Sequence, residues 1–428
     1  MTDLYDTNEH DSGPIVIIGK HDSIFVKMLA QQWYRRGQRV LVVDGTMLLR
    51  EMSEDGMLVV RSLSGYSLTK KVILRVLWGI LRVLERFFRV AQRSRLENAM
   101  RAMGTEFRPS IVAPILNGIV LSSAIKHLCP QFVFAHNAFF YGFAAALCNC
   151  TRVIFPWGAD IYHYAETTSL AYHLVRWSLS RADLVCPTSG SAADHIVSRF
   201  KIHSSRVRAI SWGVDTDFFR HADSVKRKKL CGIYGIPEDC IIVTNARRFA
   251  PGWGSDTVLK AFLDLAKKDH RYHFVLFGGG SSTHLAEAKS IIQRAGLAER
   301  FTIFEEEITL ESYSEILSIT SIFISLMRLT DMRSSSVLQA AAAGAAPVLS
   351  NQPEYQRMIQ EGFRARIVEI DNHAEVIDAI EFYADNPCAL EEITSNNLAY
   401  VMRQERFASQ MNSLWLAIQT AVAKKHTL

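Results

Sequence analysis

Residues 321–350 form the stretch that most constrains how this chain can fold. A short apolar run at 321–326 predicts a buried strand that ends in a polar loop. Three serines, Ser334–Ser336, follow where a helix should begin, and an alanine-rich segment then runs to Gly344, a residue typical of helix ends. The next strand begins at Pro347. Strand, loop, helix and strand in this order predict one α/β unit of a parallel sheet.

The predicted helix start also has the chemistry of a phosphate site. Its first N–H groups have no partner inside the helix, and the helix dipole places positive charge there, so that an anion is favoured. Asp331 lies just upstream, and its carboxylate can accept hydrogen bonds from sugar hydroxyls. An ordinary crossover helix with a serine cap would have the same pattern, and both interpretations remain open for this stretch alone.

The alternation of strands and helices extends over most of the chain. In the first half, strands are predicted at 14–20, 39–44, 131–135, 153–155 and 182–186. In the second half, they are predicted at 206–211, 240–246, 272–277 and 301–304. At 428 residues the chain is too long for one ordinary core and suits two domains of about 200 residues each. We therefore expect an α/β protein with two doubly wound parallel sheets.

Composition limits the classes of function. The net charge of +5 is modest for this length and does not suggest nucleic-acid binding. Seven scattered cysteines lack a paired framework and fit reduced thiols in the cytoplasm; Cys148 and Cys150 fit two helix residues better than a metal site. The acidic first residues lack the apolar core of a signal peptide, and no apolar stretch reaches the roughly 18 residues of a membrane span.

Glycines and polar residues follow the predicted strands, at the edge where open α/β folds bind ligands. They are Gly19, Lys20, His136, Asp160, Arg247, Arg248, Gly278 and Gly279. Each also has a structural explanation. A Gly-Lys pair fits a tight turn, two adjacent arginines fit a solvated loop, and a histidine after a strand is more often structural on position alone.

These motifs, in this order, resemble those of glycosyltransferase family 4. The family commonly has two glutamates eight residues apart, followed by an alanine-rich segment, where this chain has Asp331 and Gln339. It also has a functional histidine after a strand and then a Trp-Gly-Ser-Asp-like turn, which correspond to His136 and Trp157–Asp160. Where the family has an arginine and a lysine for the donor diphosphate, this chain has Arg248 and, as a departure, Trp253.

The resemblance implies a role for each of these residues. Asp331 would contact the donor sugar, Gln339 the nucleotide ribose, and His136 the sugar from the opposite domain. Asp160 would lie on the acceptor side. Protein cations would neutralise the donor diphosphate, so that neither a metal ion nor another cofactor is expected. The candidate donor-binding residues are Gly19, Lys20, Arg247, Arg248, Gly278, Gly279, Arg333, Ser334, Ser335, Ser336 and Gln339.

The resemblance also implies a GT-B fold, in which two Rossmann-like domains face each other across a cleft. We predict an N-terminal acceptor-side domain at 1–218, a nucleotide-sugar-binding domain at 219–405, and a helix at 406–428 that crosses back to the first domain. The implied activity is transfer of a sugar from a nucleotide sugar to a glycan or lipid-linked acceptor, with retention of configuration, in bacterial cell-surface polysaccharide or glycoconjugate synthesis. Two alternatives remain: a catalytically weakened homologue that binds a nucleotide sugar or glycan within a complex, and a sugar-nucleotide epimerase.

The segment Lys70–Arg95 has eight basic residues and one acid, a local charge of +7. Five arginines would share one side of a helix, opposite an apolar face: Arg75, Arg82, Arg86, Arg89 and Arg93. This pattern predicts contact with an anionic membrane surface, and hence a cytoplasmic protein that is peripheral on the inner face of the membrane. An amphipathic helix that packs on the sheet and leaves its arginines solvated is an equally open alternative.

Overall fold

The described residues of the chain form two compact units. The computed structural model describes residues 13–20, 23–43, 49–52, 58–61, 112–247, 249, 253–278, 283–327 and 332–427. Within these residues, the first unit comprises the chain up to Ile210 together with residues 413–427, and the second comprises residues 211–412. Four predicted features lie outside the described residues: Arg248, Gly279, Asp331 and the basic segment Lys70–Arg95.

A seven-stranded sheet forms the centre of the first unit. Its strands are β1 (Ile15–Ile18), β2 (Val40–Val43), β3 (Leu49–Met52), β4 (Leu58–Arg61), β5 (Phe132–Ala135), β6 (Thr151–Ile154) and β7 (Leu184–Val185). They lie in the order β4-β3-β2-β1-β5-β6-β7. Neighbours from β2 through β7 are parallel, whereas β3 and β4 add an antiparallel edge. Strands β1, β2 and β5 are uninterrupted apolar runs and fully buried, as in a sheet covered on both faces.

Helices of the first unit follow its strands. They are α1 (Ile24–Tyr34), α2 (Val112–Lys126), α3 (Gly142–Ala146), α4 (Ala165–Thr167), α5 (Ser169–Arg181) and α6 (Gly190–Phe200). A π-helical turn at Asp160–Tyr164 leads into α4. Hydroxyl caps fix the start of α5 and α6, since Thr168 accepts a hydrogen bond from the N–H of Ala171 and Ser189 from that of Ala192.

The second unit contains a sheet of six parallel strands. They are β8 (Ile241–Asn245), β9 (Tyr272–Phe277), β10 (Phe301–Phe304), β11 (Ile322–Ser325), β12 (Ala346–Ser350) and β13 (Arg366–Val368), in the order β10-β9-β8-β11-β12-β13. The helices are α7 (Ser224–Tyr234), α8 (Ser255–Lys268), α9 (Thr283–Arg294), α10 (Leu310–Ile319), α11 (Ser335–Ala342), α12 (Pro353–Gln360), α13 (His373–Asp385), α14 (Pro387–Gln404) and α15 (Phe407–His426).

Residues 413–426 of α15 pack within the first unit. The ring of Trp415 lies 6.2 Å from that of Trp33 and 6.4 Å from that of Phe132, and the guanidinium of Arg36 covers it at 5.5 Å. Near the end of the helix, the ammonium of Lys425 donates to the carboxylate of Asp183 at 3.0 Å. Aromatic burial at one end and an ion pair at the other therefore hold this segment in place.

Each sheet has a point at which the strand order reverses. In the first unit the chain moves outward from β1 through β4 and then returns to place β5 on the other side of β1. In the second unit β8 and β11 have the same relationship. Ligands of open α/β sheets bind beyond the carboxyl ends of the strands at such points. The two sheets confirm the predicted fold class of two Rossmann-like α/β units.

One predicted strand, at 206–211, was wrong. In the structure only Val207 of this segment pairs as in a sheet, with Val185 of β7. The N–H groups of Arg208 and Ile210 donate to the carbonyls of Val185 and Pro187. Pro187 has no N–H to donate in return, so the ladder cannot continue and the segment remains extended beside β7. None of the helices within the described residues combines the length and apolar character needed to cross a membrane.

Candidate active site

In the second unit, a serine cap fixes the start of α11 beyond the carboxyl end of β11. Ser334 has extended backbone angles, φ −81° and ψ 116°, and its hydroxyl accepts a hydrogen bond from the N–H of Val337 at 3.4 Å. The hydroxyl of Ser336 lies 3.0 Å from that of Ser334. Ser335 and Ser336 are half-buried in the first turn. This end of the helix therefore presents hydroxyl groups together with the N–H groups of its first turn.

Arg247 follows β8 and reaches the start of α11. Its Nε donates to the hydroxyl of Ser325 at 3.0 Å, and its Nη2 donates to the hydroxyl of Ser334. The guanidinium also lies 5.3 Å from the ring centre of Trp253, within the range of a cation–π contact. A cation is thus held at the positive end of a helix dipole, where a bound anion would be attracted by both.

Asn245 orients this arginine. Its side chain is buried at the end of β8, with Nδ2 donating to the carbonyl of Ile324 at 3.3 Å. Its Oδ1 accepts a hydrogen bond from the N–H of Arg247 at 3.4 Å. The amide therefore joins the ends of β8 and β11, the strands on either side of the switch point, and fixes the turn from which Arg247 projects.

Arg333 is surrounded by carboxylates. Its Nε donates to Glu354 at 2.8 Å, its Nη1 to Glu405 at 2.6 Å and its Nη2 to Glu361 at 2.8 Å. The side chain of Arg333 is 11% exposed, and those of Glu354 and Glu405 are 1% exposed. Burial acts to lower the pKa of Arg333, but the three carboxylates outweigh it and raise the pKa. The donor-binding role of Arg333 stays a prediction; in the structure its guanidinium is engaged inside the unit.

Two glycines near the switch point allow close backbone approaches. Gly254, which precedes α8, has φ +64°, and a Cβ there would lie 2.6 Å from the Cβ of Leu326. Gly278 follows β9, and a Cβ there would lie 2.4 Å from the side chain of Leu285 and 3.0 Å from the carbonyl oxygen of Glu305. Gln339 lies in the second turn of α11 with a half-buried side chain.

In the first unit, Gly19 and His136 meet at the switch point. Gly19 follows β1 and His136 follows β5, and the N–H of His136 donates to the carbonyl of Ile18 at 2.9 Å. A Cβ on Gly19 would lie 3.0 Å from the Cβ of His136 and 3.0 Å from Val26, so a larger residue would push on the histidine. Lys20, next in the chain, is exposed.

Aromatic rings surround the imidazole of His136. Phe155 stacks on it with ring centres 6.3 Å apart, Trp157 meets it edge-on at 4.7 Å, and Phe25 lies 6.5 Å away. Burial among these rings lowers the pKa of His136 to about 3, because the charged imidazolium would lose its hydration there. The ring is therefore neutral at physiological pH and can act as a hydrogen-bonding group without a charge.

Asp160 is fully buried and accepts backbone hydrogen bonds. Its Oδ2 accepts from the N–H of Ala138 at 2.6 Å, and its Oδ1 accepts from the N–H of Trp157 at 2.9 Å. Burial raises its pKa to about 6, although these backbone donors oppose the shift. The carboxylate thus ties the loop after β5 to the loop after β6. Its predicted role on the acceptor side stays a prediction.

Asn137 lies directly after His136 and was not among the predicted site residues. It has φ +137°, a backbone conformation that is strained for a residue with a side chain, and its Oδ1 accepts from the N–H groups of Phe139 and Phe140 at 2.9 and 2.8 Å. The sequence signal was an asparagine directly after a candidate histidine at a strand end.

The candidate residues therefore form two groups, one in each unit. Gly19, Lys20, His136 and Asp160 lie at the carboxyl edge of the first sheet. The second group lies at the carboxyl edge of the second sheet and comprises Arg247, Gly278 and Ser334–Ser336. Gln339 lies one turn further along α11. Within the described residues, no group of three or more His, Cys, Asp or Glu side chains is placed to hold a metal ion.

Two family models match the chain, one in each half. The model of Glycosyltransferase Family 4 matches residues 23–218, and the model of glycosyl transferases group 1 matches residues 226–400. Together they cover most of the sequence, including all the candidate residues except Gly19 and Lys20. No curated protein matches the chain.

Several solved structures share the fold. HepE from Anabaena, solved in complex with UDP and glucose, is 12% identical with a TM-score of 0.69, covering 95% of this chain and 100% of its own. Sucrose-phosphate synthase from Thermosynechococcus elongatus is 14% identical with a TM-score of 0.69, covering 96% and 100%. A glycosyltransferase from Rickettsia africae ESF-5 is 13% identical with a TM-score of 0.63, covering 96% and 99%. At these identities the likeness concerns the fold alone.

Proposed function

Because the chain belongs to the family 4 glycosyltransferases, which are retaining enzymes that use nucleotide sugars, we propose that its second unit binds the donor diphosphate at the start of α11. The transferred sugar would go to a glycan or a lipid-linked acceptor. His136 and Asp331 would contact the donor sugar, and Gln339 the nucleotide ribose. Asp160 would support the acceptor side through the loops that it joins.

The main support for this proposal is the position of Arg247 at the start of α11. Its guanidinium has five N–H donors, of which two are used by Ser325 and Ser334. Among the described residues this side chain makes no other hydrogen bond, so N–H donors remain for phosphate oxygens. The dipole of α11 adds roughly half a positive charge at the same point. A diphosphate leaving group gains negative charge as the sugar departs, and fixed positive groups stabilise it most in that state.

Arg247 can also compensate for the missing positive charge at position 253, where the family has a lysine and this chain has Trp253. Removing one charged donor from a developing anion typically costs about 100- to 1000-fold in rate unless another group replaces it. Trp253 cannot supply a charge, but its ring lies against the guanidinium of Arg247. We propose that Trp253 positions Arg247 for the diphosphate, and that Arg247 with Arg248 restores a pair of cations.

The neutral imidazole of His136 suits contact with a sugar hydroxyl. A buried ring with a pKa of about 3 can donate through one nitrogen and accept through the other without being protonated. Phe155 and Trp157 hold the ring in place. Asp331 would supply the negative charge that orients the same sugar. Both roles belong to a preorganised site and require no covalent step by either residue.

A uridine nucleotide is the first donor to test, because HepE, a protein of the same fold, was solved with UDP and glucose. The purified protein would be incubated with a panel of nucleotide sugars, with and without an extract of glycans and glycolipids, and released nucleotide diphosphate would be measured. We expect acceptor-dependent release with one donor class. No release with any donor, together with no nucleotide diphosphate binding, would contradict the proposal.

We propose a lipid-linked acceptor in particular, on the strength of the basic segment Lys70–Arg95. Each arginine near an anionic surface contributes about 1 kcal/mol, so that five on one side of a helix could hold the protein at a membrane. A protein held there would meet lipid-linked acceptors at the surface, in polysaccharide or glycoconjugate synthesis at the inner face of a bacterial membrane.

A second candidate function is nucleotide-sugar binding without transfer. It is favoured by Trp253, Asp331 and Gln339, which stand where the family pattern has a lysine and two glutamates. The same panel separates the two functions. Saturable binding of a nucleotide sugar without release of diphosphate, even with glycan and glycolipid extracts present, would indicate a binding subunit rather than an enzyme.

A further inference from the structure

The turn between β12 and α12 contacts both ends of the loop that joins β11 to α11. This turn, residues 350–354, binds Met327 at one end of the loop and Arg333 at the other. Asp331 lies between those two residues in the sequence, four positions after Met327 and two before Arg333. The proposed function assigns a role to Asp331 and none to the turn.

The side chain of Ser350 binds both backbone groups of Met327. Its Oγ accepts a hydrogen bond from the N–H of Met327 at 2.9 Å and donates one to the carbonyl oxygen of Met327 at 3.1 Å. Backbone pairing between β11 and β12 ends two residues earlier, with Ser325 opposite Leu349. Met327 is buried, and a buried N–H or C=O group without a partner is costly. The hydroxyl of Ser350 therefore replaces the sheet hydrogen bonds at the point where the loop begins.

Gln352 makes a second contact with the same carbonyl group. Its Nε2 donates to the oxygen of Met327 at 2.8 Å, so that both lone pairs of this oxygen accept a hydrogen bond. Pro353 disfavours a helical backbone at the residue before it, and Gln352 has φ −125° and ψ 145°. Gln352 stands at the N-cap position of α12, but its side chain makes no capping hydrogen bond. The side-chain amide therefore stabilises the loop and not the helix that it precedes.

Glu354 fixes the other end of the loop. Its side chain is 1% exposed, and its carboxylate accepts a hydrogen bond from Nε of Arg333 at 2.8 Å. Arg333 directly precedes Ser334, the cap of α11, and Met332 on its other side is buried. The loop therefore begins and ends on groups that belong to one short turn.

A short connection between two fixed ends has few conformations open to it. The position of the Asp331 carboxylate therefore depends on where Met327 and Arg333 are held. A displacement of about 1 Å at a reacting group can cost about 100-fold in rate, even when the substituted residue is far from the chemistry. The contacts of the turn are thus of the kind that affect turnover without touching the substrate.

We propose that Gln352 is a positioning residue for sugar transfer, because it holds the loop where the carboxylate of Asp331 can contact the donor sugar. This inference rests on the proposed role of Asp331. Gln352 acts through the backbone of Met327 and is not itself a contact of the substrate. Loss of its amide should lower turnover and leave the affinity for UDP unchanged, because the diphosphate is proposed to bind at Arg247 and Ser334.

The first test uses the full chain with Gln352→Met, which keeps the length of the side chain and removes the N–H donor. We expect kcat to fall roughly 10- to 100-fold with the donor found in the panel, while the affinity for UDP and the melting temperature are retained. Gln356→Met is the matched control, because Gln356 is an exposed glutamine of α12 whose amide donates to Asn351. The control should have wild-type turnover. Wild-type turnover in Gln352→Met, a parallel loss of UDP affinity, or an equal loss of turnover in the control would overturn the assignment.

A double-mutant cycle with Asp331→Asn separates positioning from a general loss of structure. Gln352→Met should slow the otherwise wild-type protein and leave the residual turnover of Asp331→Asn unchanged. The same fold-loss in both backgrounds would overturn the inference, whereas the role of Asp331 would stand. Wild-type turnover in Asp331→Asn would contradict the proposed role of Asp331 and the inference together, so the two failures can be distinguished.

Hydrogen exchange tests the contacts at the start of the loop without any measurement of turnover. The N–H of Met327 should be protected in the wild type, because it donates to Ser350 in a buried position. Ser350→Ala should make this amide exchange faster. An N–H of Met327 that exchanges as fast in the folded wild type as in the urea-unfolded chain would mean that the turn does not hold the loop, and would overturn the proposal.

Discussion

The backbone N–H of Ala138 donates a 2.6 Å hydrogen bond to the buried carboxylate of Asp160. Ala138 lies two residues after His136, and Asp160 accepts a second bond from the loop after β6. The position of His136 therefore depends on a carboxylate in another loop. Both side chains are buried, and burial shifts their pKa values in opposite directions, to about 6 for Asp160 and about 3 for His136.

The first prediction concerns the acid stability that follows from His136. The pKa of His136 is lowered in the folded state, so the unfolded chain takes up a proton at this residue more readily. The contribution of the neutral imidazole to the free energy of unfolding is therefore present at neutral pH and is lost as the pH falls from about 6.5 towards 3. Between pH 7 and pH 4.5 this loss amounts to about 3 kcal/mol, at about 1.4 kcal/mol for each pKa unit. Asp160 acts in the opposite sense, because its raised pKa favours the folded state below about pH 6.

His136→Gln should therefore remove the larger of the two effects on stability at acid pH, the one that arises from His136. We expect the free energy of opening at β5, measured by native-state hydrogen exchange, to fall less between pH 7 and pH 4.5 in the variant than in the wild type. His127→Gln is the control, because His127 is an exposed histidine of the same unit. An unchanged acid response in His136→Gln would mean that the histidine has the same pKa in the folded and unfolded states, and so is solvated in the folded protein.

The second prediction is that Arg247→Ala weakens nucleotide diphosphate binding and slows transfer together. Arg247 would contact the phosphates in the ground state and in the transition state, so both quantities should change. A charge-assisted hydrogen bond contributes about 1.5–3 kcal/mol, which corresponds to roughly 10- to 150-fold in affinity. Titration calorimetry with UDP measures the affinity for the nucleotide diphosphate.

Arg364→Ala is the matched control for Arg247→Ala. Arg364 lies in the same unit, is half exposed and pairs with Glu392. Its removal should leave UDP affinity unchanged. Equal affinities for the wild type and Arg247→Ala would exclude Arg247 from the donor site and leave Arg248 as the candidate.

The third prediction is that Asp331→Asn removes most turnover and leaves UDP affinity within a few-fold. The carboxylate is proposed to contact the sugar rather than the phosphates, so its charge should affect the transferred group alone. Turnover is measured with the donor found in the panel. Wild-type turnover in Asp331→Asn would mean that this acid has no role in sugar transfer.

The fourth prediction separates two roles for Arg333. If its three ion pairs are its main function, Arg333→Ala should destabilise the second unit by about 3–5 kcal/mol, because it leaves buried carboxylates uncompensated. Urea unfolding measures this loss. Glu361→Gln should cost less, since Glu361 is the more exposed partner. A stable Arg333→Ala variant that fails to bind UDP would instead support the donor-binding role.

The fifth prediction concerns the basic segment Lys70–Arg95. The wild type should sediment with anionic vesicles and not with neutral ones, and the binding should fade as salt shortens the Debye length to about 10 Å at 0.1 M. Replacing Arg82, Arg86 and Arg89 by Glu should abolish it without loss of the fold. Wild-type protein that stays in the supernatant with every vesicle would contradict membrane contact by this segment and favour an acceptor that is not bound to a membrane.

The fold could be predicted because apolar runs and helix signals alternate regularly along the chain. The run at β9, for example, was predicted with the bounds that it has, since it is fully buried and ends at a glycine. The antiparallel pair β3 and β4 was not predicted. Arg50 and Glu51 interrupt the apolar pattern of β3, so that no apolar run marks this strand in the sequence.

The candidate residues were chosen from strand ends, and a strand end defines only an edge of a sheet. It does not reveal which polar side chains bind one another. Glu354, Glu361 and Glu405 are far from Arg333 in sequence, and their ion pairs depend on the packing of α12 and α14 against the start of α11. Asp160 was likewise predicted from a turn motif, whereas its contact with Ala138 depends on the register of β5 and β6.

The docking of residues 413–426 against Trp33 and Phe132 has a consequence for biosynthesis. The first unit cannot complete its packing on the ribosome until these residues have been made, although its sheet is translated much earlier. At 5–20 residues per second, the intervening residues 211–412 would take roughly 10–40 s to synthesise. During that interval the nascent chain exposes the aromatic surface that Trp415 later covers. The first unit is therefore completed last, even though most of it comes first in sequence.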